Sequence, residues 1–332
     1  MGELQVTGVS RAFGGRVALD EVTFAVRPGR LTGFVGANGA GKTTTMRIVM
    51  GVLTPDAGHV TLDGADLTLA VRSRFGYMPE ERGLYPRMRV AEQLVYLGRV
   101  HGLDAPTARR HAGDLLGALA LEDHADDLLQ TLSLGNQQRV QVAAALVHDP
   151  TVLVLDEPFS GLDPLAVDEL GGMLRDRAAA GVPVLFSSHQ LELVERLCDD
   201  VVIIDEGRVV AAGSADELRA GRSGRRYRVV LDVDSAPDAA PDAVPDAAPD
   251  ARDPAGRDVV AQVVGEVPGA SLVPEDPSAA DDAGPACRVF VVELPDGADE
   301  QVLLAAAQAR GRVRELAVVR PTLAQIFREV VR

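Results

Sequence analysis

The stretch Gly36-Ala37-Asn38-Gly39-Ala40-Gly41-Lys42-Thr43-Thr44 has the spacing G-x-x-x-x-G-K-[ST] of a phosphate-binding loop. The apolar residues of a short strand precede it at 31–35, and those of a helix follow it at 43–51. Glycines let backbone N–H groups turn towards an anion, and the start of a helix adds partial positive charge. The stretch therefore predicts a site for nucleotide phosphates, with an ordinary glycine-rich turn as the alternative.

Lys42 is the only lysine among the 332 residues, since every other strongly basic residue is an arginine. A lysine ammonium is a compact charge on a slim stem, whereas the guanidinium of arginine is a broad planar fork. The compact charge is better suited to entering a closed loop and meeting two phosphates. Composition thus supports Lys42 as a phosphate ligand, and the motif predicts that Thr43 supplies a hydroxyl ligand to Mg²⁺.

Charge and composition exclude some classes of protein. A formal net charge of −16 argues against a protein whose main partner is nucleic acid. Cys198 and Cys287 have neither metal-ligand spacing nor a disulfide pattern. No window approaches the ~20 apolar residues of a membrane-spanning helix, and the first residues do not resemble a signal segment. We therefore expect a cytosolic chain of two domains, unless a partner holds it at a membrane.

Residues 4–9 and 22–26 alternate apolar and polar side chains with a period of two, which predicts two antiparallel strands. Phe13 lies between them on a predicted turn. An aromatic ring there could stack on a nucleobase, although a single phenylalanine is more often a core residue. Residues 60–64 predict a further short hairpin, and residues 75 to about 147 predict a largely helical region.

Two acids end the apolar run Val152-Leu153-Val154-Leu155-Asp156-Glu157, which is typical of a parallel strand buried on both faces. Ligands of such sheets bind at the carboxyl ends of the strands. Asp156 is therefore expected to organise Mg²⁺, and Glu157 to accept a proton from the attacking water. A solvated turn is the alternative. The next predicted strand, at 181–189, delivers His189 to the same edge, although a single histidine often has no catalytic role.

Residues 132–139 read Leu-Ser-Leu-Gly-Asn-Gln-Gln-Arg and precede a further run of apolar residues. Ser133 and Gly135 would stand at the start of a helix, which is a second position suited to an anion. The alternative is that Ser133 only caps the helix.

Several of these motifs occur in one order along the chain. They are Phe13, GANGAGKTT at 36–44, LSLGNQQR at 132–139, VLVLDEP at 152–158, SGLD at 160–163 and SSH at 187–189. This set strongly resembles the ATP-binding subunit of an ABC transporter over roughly residues 2–220. Kinases, GTPases and helicases also have phosphate loops, but LSLGN is specific to the ABC family. The resemblance implies an α/β P-loop NTPase fold of ABC type in residues 1–221, with a RecA-like core, an antiparallel β subdomain and a helical subdomain at about 75–148.

The resemblance implies that the chain hydrolyses ATP with Mg²⁺ and closes head to tail with a second copy, or with a homologous ATPase subunit, around two nucleotides. Ser133 and Gly135 of one copy would then face the γ-phosphate held by the other. Glu157 would be the general base, and His189 would sense the γ-phosphate. The other implied contacts are Phe13 on adenine, Gly36, Ala37, Asn38, Gly39, Ala40, Gly41, Lys42, Thr43 and Thr44 around the phosphates, and Asp163 between the two sites.

One position departs from the usual pattern of the family, because Glu80 stands where most members have glutamine. Its carboxylate offers Mg²⁺ an oxygen ligand, as Thr43 and Asp156 do, and adds negative charge near the γ-phosphate. The surrounding phrase YMPEERGLY at 77–85 resembles sodium-extrusion and related ABC-2-type export ATPases.

The resemblance also implies a separate integral-membrane permease that holds this chain at the inner face of the cell membrane. We expect contact with that permease through Tyr85, Met88, Val90 and Leu94, the alternative being that these residues pack the helical region. A soluble ABC-type ATPase that acts as a clamp, or a regulatory dimerisation module without transport, is the alternative function.

Residues 222–332 predict a second, smaller α+β domain. Strands at 227–233, 270–273, 288–294 and 313–319 and helices at 258–266 and 298–309 give the order βαββαβ of a ferredoxin-like sandwich, followed by a closing helix at 322–331. A Pro/Asp/Ala segment at 235–256 is expected to be an extended, mobile insertion. Acidic regulation or cation attraction is the alternative for this segment.

Overall fold

The computed structural model describes residues 2–81, 83–220, 225–232, 254–273, 287–295 and 297–331. Backbone contacts divide the chain into two compact units, one formed by residues 1–218 with 323–332 and the other by residues 219–322. Within the described ranges, no helix combines the length and the apolar character needed to cross a membrane.

The first unit contains two sheets. Its strands are β1 Leu4–Phe13, β2 Arg16–Val26, β3 Leu31–Val35, β4 Ala57–Leu62, β5 Ala65–Asp66, β6 Phe75–Met78, β7 Val152–Leu155, β8 Val184–Ser188, β9 Asp200–Asp205 and β10 Arg208–Ser214. An antiparallel sheet has the order β2-β1-β4-β5, and the six-stranded sheet has the order β10-β9-β3-β8-β7-β6. The second sheet is parallel except for β10. The α/β class and the antiparallel strands that the sequence predicts are confirmed.

Helices pack on the central sheet and form the helical subdomain. They are α1 Lys42–Val49, α2 Leu69–Arg72, α3 Val90–Val100, α4 Ala105–Ala118, α5 Leu134–Leu146, α6 Pro164–Ala179, α7 Leu191–Leu197 and α8 Ala215–Ala220. Strands β3 and β7 are buried along their whole length, as their continuous apolar runs require. The central sheet thus lies between two apolar clusters and carries the phosphate loop at the end of β3.

Residues 75–78 differ from their predicted helical state, because they form strand β6, which pairs in parallel with β7. Phe75 and Met78 are each 1% exposed, and they pack in the apolar clusters on the two sides of the sheet. A short apolar run buried on both sides has no periodicity that separates a strand from a helix. The long helices of the helical subdomain therefore begin only at Val90.

The second unit has the predicted βαββαβ order. Its elements are β11 Arg225–Asp232, α9 Pro254–Gly265, β12 Ser271–Val273, β13 Cys287–Leu294, α10 Glu300–Gln308 and β14 Arg312–Val319. The antiparallel sheet has the order β12-β13-β11-β14, which is that of a ferredoxin-like fold. Tyr227, Val229 and Leu231 alternate along β11 and share one core with Val263 of α9 and Leu303 of α10. The predicted ferredoxin-like fold is confirmed.

Two boundaries of this region differ from the prediction. The closing helix, α11 Leu323–Val330, belongs to the first unit and not to the second, because its apolar face joins the core of the first unit. The predicted insertion at 235–256 lies outside the described residues up to 253, and its last residues form the start of α9.

Two histidines stack where the helical subdomain meets β6. The rings of His101 and His148 lie 3.8 Å apart at an angle of 12°. His148 Nε2 is 3.1 Å from the Phe75 carbonyl oxygen, and His101 Nδ1 is 3.0 Å from that of Ser73. Burial, and secondly the neighbouring His101, lower the pKa of His148 from 6.5 to about 4. His148 therefore stays neutral in the folded protein at pH values where an unfolded chain would protonate it.

This stack predicts a specific loss of stability in acid. Because the pKa of His148 is lowered by folding, its contribution is complete above pH 6.5 and is lost as the pH falls towards 4. After discounting for partial exposure, we expect about 1 kcal/mol of the loss between pH 7 and pH 5 to come from this residue. Denaturant unfolding at both pH values should show a smaller loss for His148→Gln than for wild type. The exposed His59→Gln is the control, and an equal acid loss in wild type and His148→Gln would contradict the assignment.

Candidate active site

A cleft of about 310 Å³ opens beside the phosphate loop, at the carboxyl ends of β3 and β7. Its walls are formed by Ala18, Asn38, Gly39, Gly41, Lys42, Thr43, Thr44, Glu80, Asp156 and Glu157. The fold therefore brings together the phosphate loop, the two acids after β7 and Glu80, which are far apart in the sequence. This is the edge of a parallel sheet at which ligands bind.

The ammonium of Lys42 lies inside the loop. Its Nζ donates hydrogen bonds to the carbonyl oxygens of Gly36 at 2.6 Å and Ala37 at 3.1 Å, and the residue is 7% exposed. Burial lowers the pKa of Lys42, while the carboxylates of Glu157, Asp156 and Glu80 act in the opposite direction. Phosphate oxygens are stronger partners for an ammonium than carbonyl oxygens, so a bound phosphate can replace these bonds.

The start of α1 explains the glycine at position 41. Gly41 has φ = 111°, which is in the left-handed region, and precedes the first helical residue, Lys42. A Cβ atom at this position would lie 2.6 Å from Leu19 Cδ2 and 3.0 Å from the Ala18 carbonyl oxygen. The loop can therefore turn only with glycine here, and the turn directs the unpaired N–H groups of the first helical turn at the cleft. Ala40 does not line the cleft; it is 5% exposed, and its carbonyl accepts a bond from the Gly207 N–H.

Asp156 is buried at the end of β7 with one carboxylate oxygen lacking a partner. Its Oδ1 accepts a hydrogen bond of 2.6 Å from Ser187 Oγ, whereas Oδ2 is buried and unpaired. Asp156 is 1% exposed, yet it forms part of the cleft wall. An unpaired buried carboxylate oxygen is costly unless a cation or donor completes it. The donor set that the cleft supplies consists of this oxygen, the Thr43 hydroxyl and the Glu80 carboxylate, and such oxygen ligands fit Mg²⁺.

Glu157 and His189 are in contact across the strand ends. His189 Nδ1 lies 3.0 Å from Glu157 Oε2, and the side chains are 55% and 15% exposed, respectively. Burial raises the pKa of Glu157, although the hydrogen bond from His189 and the charges of His189 and Lys42 oppose this shift. Glu157 also has φ = 52°, a left-handed conformation that is uncommon for a residue other than glycine. The site therefore holds this carboxylate in one position and makes it a better proton acceptor.

Glu80 follows β6 and faces the phosphate loop. Thr43 Oγ1 lies 3.5 Å from Glu80 Oε2. Gln141 Nε2 donates a 2.7 Å hydrogen bond to the Pro79 carbonyl, which fixes the backbone just before Glu80. Glu80 thus lies in the position that the sequence predicts for a metal ligand.

The sequence did not predict a role for two supporting residues, Ser187 and Gln138. Besides its bond to Asp156, Ser187 Oγ accepts a 2.8 Å hydrogen bond from the Glu157 N–H. Gln138 Nε2 donates to the Glu157 carbonyl at 2.9 Å. Together they hold the side chain of Asp156 and the backbone of Glu157. Two features of the sequence could have indicated them: a serine at the end of an otherwise apolar strand, and a glutamine three residues after Gly135.

Eight predicted residues lie outside the walls of this cleft in the single chain, namely Gly36, Ala37, Ala40, His189, Phe13, Ser133, Gly135 and Asp163. Phe13 is the last residue of β1 and not part of a turn; it is 45% exposed, with the Arg11 guanidinium 4.9 Å from the ring centroid. Ser133 caps α5 by accepting from the Asn136 N–H, and Asp163 caps α6 by accepting from the Ala166 N–H at 2.9 Å. Gly135 is half-buried in the first turn of α5. Their predicted contacts with nucleotide or a second copy remain predictions.

The fold and the cleft define a phosphate-loop ATPase of the ABC type. Residues 19–160 match the family described as ABC transporter, and residues 256–331 match the ATP-binding protein DrrA1-3-like, C-terminal domain. The chain is 37% identical over 231 residues to the daunorubicin resistance ATP-binding protein DrrA3 of Streptomyces coeruleorubidus, covering 69% of this chain and 73% of that one. The protein belongs to the ATP-binding proteins of ABC transporters, and it is an ATPase.

Other comparisons agree with this assignment. The Nod factor export ATP-binding protein I of Ralstonia nicotianae is 41% identical over 218 residues, covering 65% of this chain and 68% of that protein. A solved ATP-binding subunit of an ABC transporter is 33% identical with a TM-score of 0.62, covering 66% of this chain and 92% of that structure. A dimeric bacterial ABC transporter cassette shares the fold at 22% identity, with a TM-score of 0.59 and coverage of 64% and 98%.

Proposed function

We propose that this chain is the ATP-hydrolysing subunit of an exporter, in which ATP-driven closure of two subunits is coupled to transport by a separate membrane permease. The observation that carries the proposal is that an ABC-type ATPase and a DrrA-like C-terminal domain occur in one chain. Relatives with the same ATPase fold are named for Nod factor export, linearmycin resistance and daunorubicin resistance. Through its permease, the subunit is peripheral on the inner face of the cell membrane.

ATP is bound through its phosphates in the cleft. Lys42 contributes the buried ammonium, and the backbone N–H groups of Asn38, Gly39 and residues 41–44 contribute neutral donors at the start of α1. Thr43, Glu80 and Asp156 hold Mg²⁺, and the support for this set is the unpaired Asp156 Oδ2 in the cleft wall. The ion, when bound, neutralises charge on the transferred phosphate. Phe13 stacks on the adenine from the exposed end of β1.

Hydrolysis uses the Glu157 carboxylate as the general base. Glu157 accepts the proton of the attacking water, for which its raised pKa and its position beside Lys42 are suited. His189 donates to Glu157 and orients it, and its exposed ring is available to the γ-phosphate. Ser187 and Gln138 keep the acids in place. Glu157 thus accepts the proton, and the other three residues keep it and Asp156 in place.

A second subunit completes each site. Ser133 and Gly135 begin α5, and the exposed Leu134 between them is 63% accessible. Leu165, at the start of α6 beside the cap Asp163, is 68% exposed. Exposed leucines beside two helix N-termini suit a surface that closes on a phosphate bound to another copy. The second subunit is either this chain or a homologous ATPase.

Glu80→Gln should retain MgATP hydrolysis. The amide keeps an oxygen for Mg²⁺, so we expect turnover to stay within about threefold of wild type, while the Mg²⁺ concentration needed for half-maximal rate rises because one negative charge is lost. ATPase rates measured over a Mg²⁺ titration check this result. The exposed Glu81→Gln, at the next residue, is the matched control. Complete loss of hydrolysis would instead make the carboxylate a specific requirement.

The permease contact is proposed at an aromatic surface next to Glu80. Tyr85 and Tyr96 are 53% and 45% exposed, and their rings meet edge to face at 6.0 Å. Met88, three residues after Tyr85, is half-buried. Val90 and Leu94, which the sequence assigned to this contact, are each 0% exposed and belong to the core. Their prediction as contact residues was wrong, because apolar spacing alone does not show which side of α3 faces the core. Tyr96 replaces them in the proposed contact surface.

Tyr85→Asp combined with Met88→Asp should release the ATPase from its permease. Two charges within an apolar contact would be desolvated without partners, so we expect co-purification to fall at least about tenfold. Leu69→Asp, at a leucine that is 85% exposed on α2, is the control for an added charge elsewhere. Pull-down from detergent extracts measures the effect. Unchanged co-purification of the double variant would exclude this surface.

Reconstitution tests the function as a whole. The purified chain is combined in vesicles with a candidate permease, chosen as a membrane protein that co-purifies with it, and ATPase rate and ATP-dependent transport are measured. An exporter subunit should be stimulated by the permease and should lose transport in the Tyr85 and Met88 double variant. A soluble clamp or dimerisation module would hydrolyse ATP at a rate that the membrane protein does not change.

A further inference from the structure

The last helix of the chain packs beside the helix that follows His189. Helix α7 begins at Leu191, two residues after His189, and its Val194 is fully buried. Leu323 and Ile326 of α11 are 0% and 1% exposed and belong to the same apolar cluster as Val194. These two residues are three apart, so they lie on one face of α11. The end of the sequence is thus part of the ATPase core.

The other sides of α7 leave it little room to shift. A Cβ atom on Gly33 of β3 would lie 2.5 Å from Val194 Cγ1, so the helix touches the backbone of the strand that leads into the phosphate loop. A Cβ atom on Gly171 of α6 would lie 2.8 Å from Leu197 Cδ2. Close packing against β3 and α6 leaves α11 as the third support of α7. Such dense contacts transmit small displacements.

A polar contact joins α7 to the start of α11. The carboxylate Oε2 of the half-buried Glu195 accepts a 3.2 Å hydrogen bond from the Leu323 N–H. A carboxylate at this end of a helix satisfies a backbone donor and interacts favourably with the helix dipole. The two residues are 128 positions apart, so the bond fixes α7 to a segment that follows the whole second unit.

We propose that Glu195 and α11 are positioning elements for ATP hydrolysis, which fix α7 and thereby keep His189 in contact with Glu157. The proposal rests on the role given above to His189. Leu323 directly follows the second unit, which ends at residue 322. A partner or ligand that displaces the end of that unit would therefore act on α7, and through it on hydrolysis, without touching the nucleotide.

The test is a double-mutant cycle between Glu195 and His189. Glu195→Ala should lower kcat about three- to tenfold, because the hydrogen bond to the Leu323 N–H is lost, with the KM for ATP nearly unchanged. In a His189→Ala background, the same change should lower single-turnover rates less than about twofold. Glu195→Gln, which keeps an acceptor oxygen, should recover most of the rate. Rates are normalised to the folded fraction measured by circular dichroism.

Each deviation from this pattern has a distinct meaning. Equal losses in both backgrounds, or no recovery with glutamine, would overturn the positioning role of Glu195 and leave the role of His189 intact. A His189→Ala variant with full turnover would overturn the role of His189 itself, and this inference with it.

A second pair of variants separates positioning from stability. Leu323→Ala in α11 and Leu303→Ala in α10 both remove a leucine that is 0% exposed. Only the first should lower kcat of the folded protein, because Leu303 belongs to the core of the second unit. Equal kcat values for the two variants would overturn the proposed role of α11.

Discussion

Lys42→Arg is expected to lower ATP turnover by about a hundredfold or more, although the charge is unchanged. Lys42 is 7% exposed, and its ammonium lies 2.6 Å from the Gly36 carbonyl oxygen, inside a loop whose turn allows no side chain at Gly41. A guanidinium is wider and rigidly planar, so it would have to open the loop or remain outside it. Steady-state ATPase assays and ATP-binding measurements would show the loss.

Arg47→Lys provides the matched control for this prediction. Arg47 lies five residues further along α1 and does not line the cleft, so the reverse exchange of the same two residue types should change turnover less than about twofold. Thermal unfolding of both variants separates catalytic from folding effects. Near-normal hydrolysis by Lys42→Arg would refute the argument that only a slim cation fits the loop.

The parts of the site that follow one another in the chain could be predicted from the sequence. Asn38, Gly39, residues 41–44 and the acids Asp156 and Glu157 line the cleft as expected, because a strand followed by a glycine-rich turn, or by acids, fixes its own direction. Glu80 also lies where the motif placed it. The bonds between strands were not visible in the sequence: Ser187 links Asp156 to Glu157 only because β8 lies beside β7.

Packing between distant segments explains the remaining differences. Residues 75–78 were assigned to the helical region because a short apolar run buried on both sides has the same composition in a strand as in a helix. The orientation of α3 buries Val90 and Leu94 and exposes Tyr96, and apolar spacing alone does not give that orientation. Helix α11 follows the second unit in the chain but joins the first, since Leu323 and Ile326 complete a core formed about 130 residues earlier.

Glu157→Gln should preserve ATP binding and lower turnover by about a thousandfold. The exchange keeps the shape of the side chain and the left-handed backbone at φ = 52°, so the loop after β7 should not move. It removes the oxygen that accepts the proton, because an amide is not basic at neutral pH. Single-turnover hydrolysis and equilibrium ATP binding measure the two effects separately, and the exposed Glu192→Gln on α7 is the control.

The same variant should accumulate as an ATP-bound dimer, since hydrolysis is the step that ends closure. Loss of the Glu157 charge also removes repulsion towards phosphates beside Lys42, which favours the closed state further. Size-exclusion chromatography with light scattering, with and without MgATP, should show twice the monomer mass only with nucleotide. A dimer that forms in the Glu157→Gln variant and disappears in the Ser133→Arg, Glu157→Gln double variant would link the closing surface to the start of α5. Undiminished turnover in Glu157→Gln would remove this carboxylate as the base, and the water would then have to lose its proton to the γ-phosphate itself.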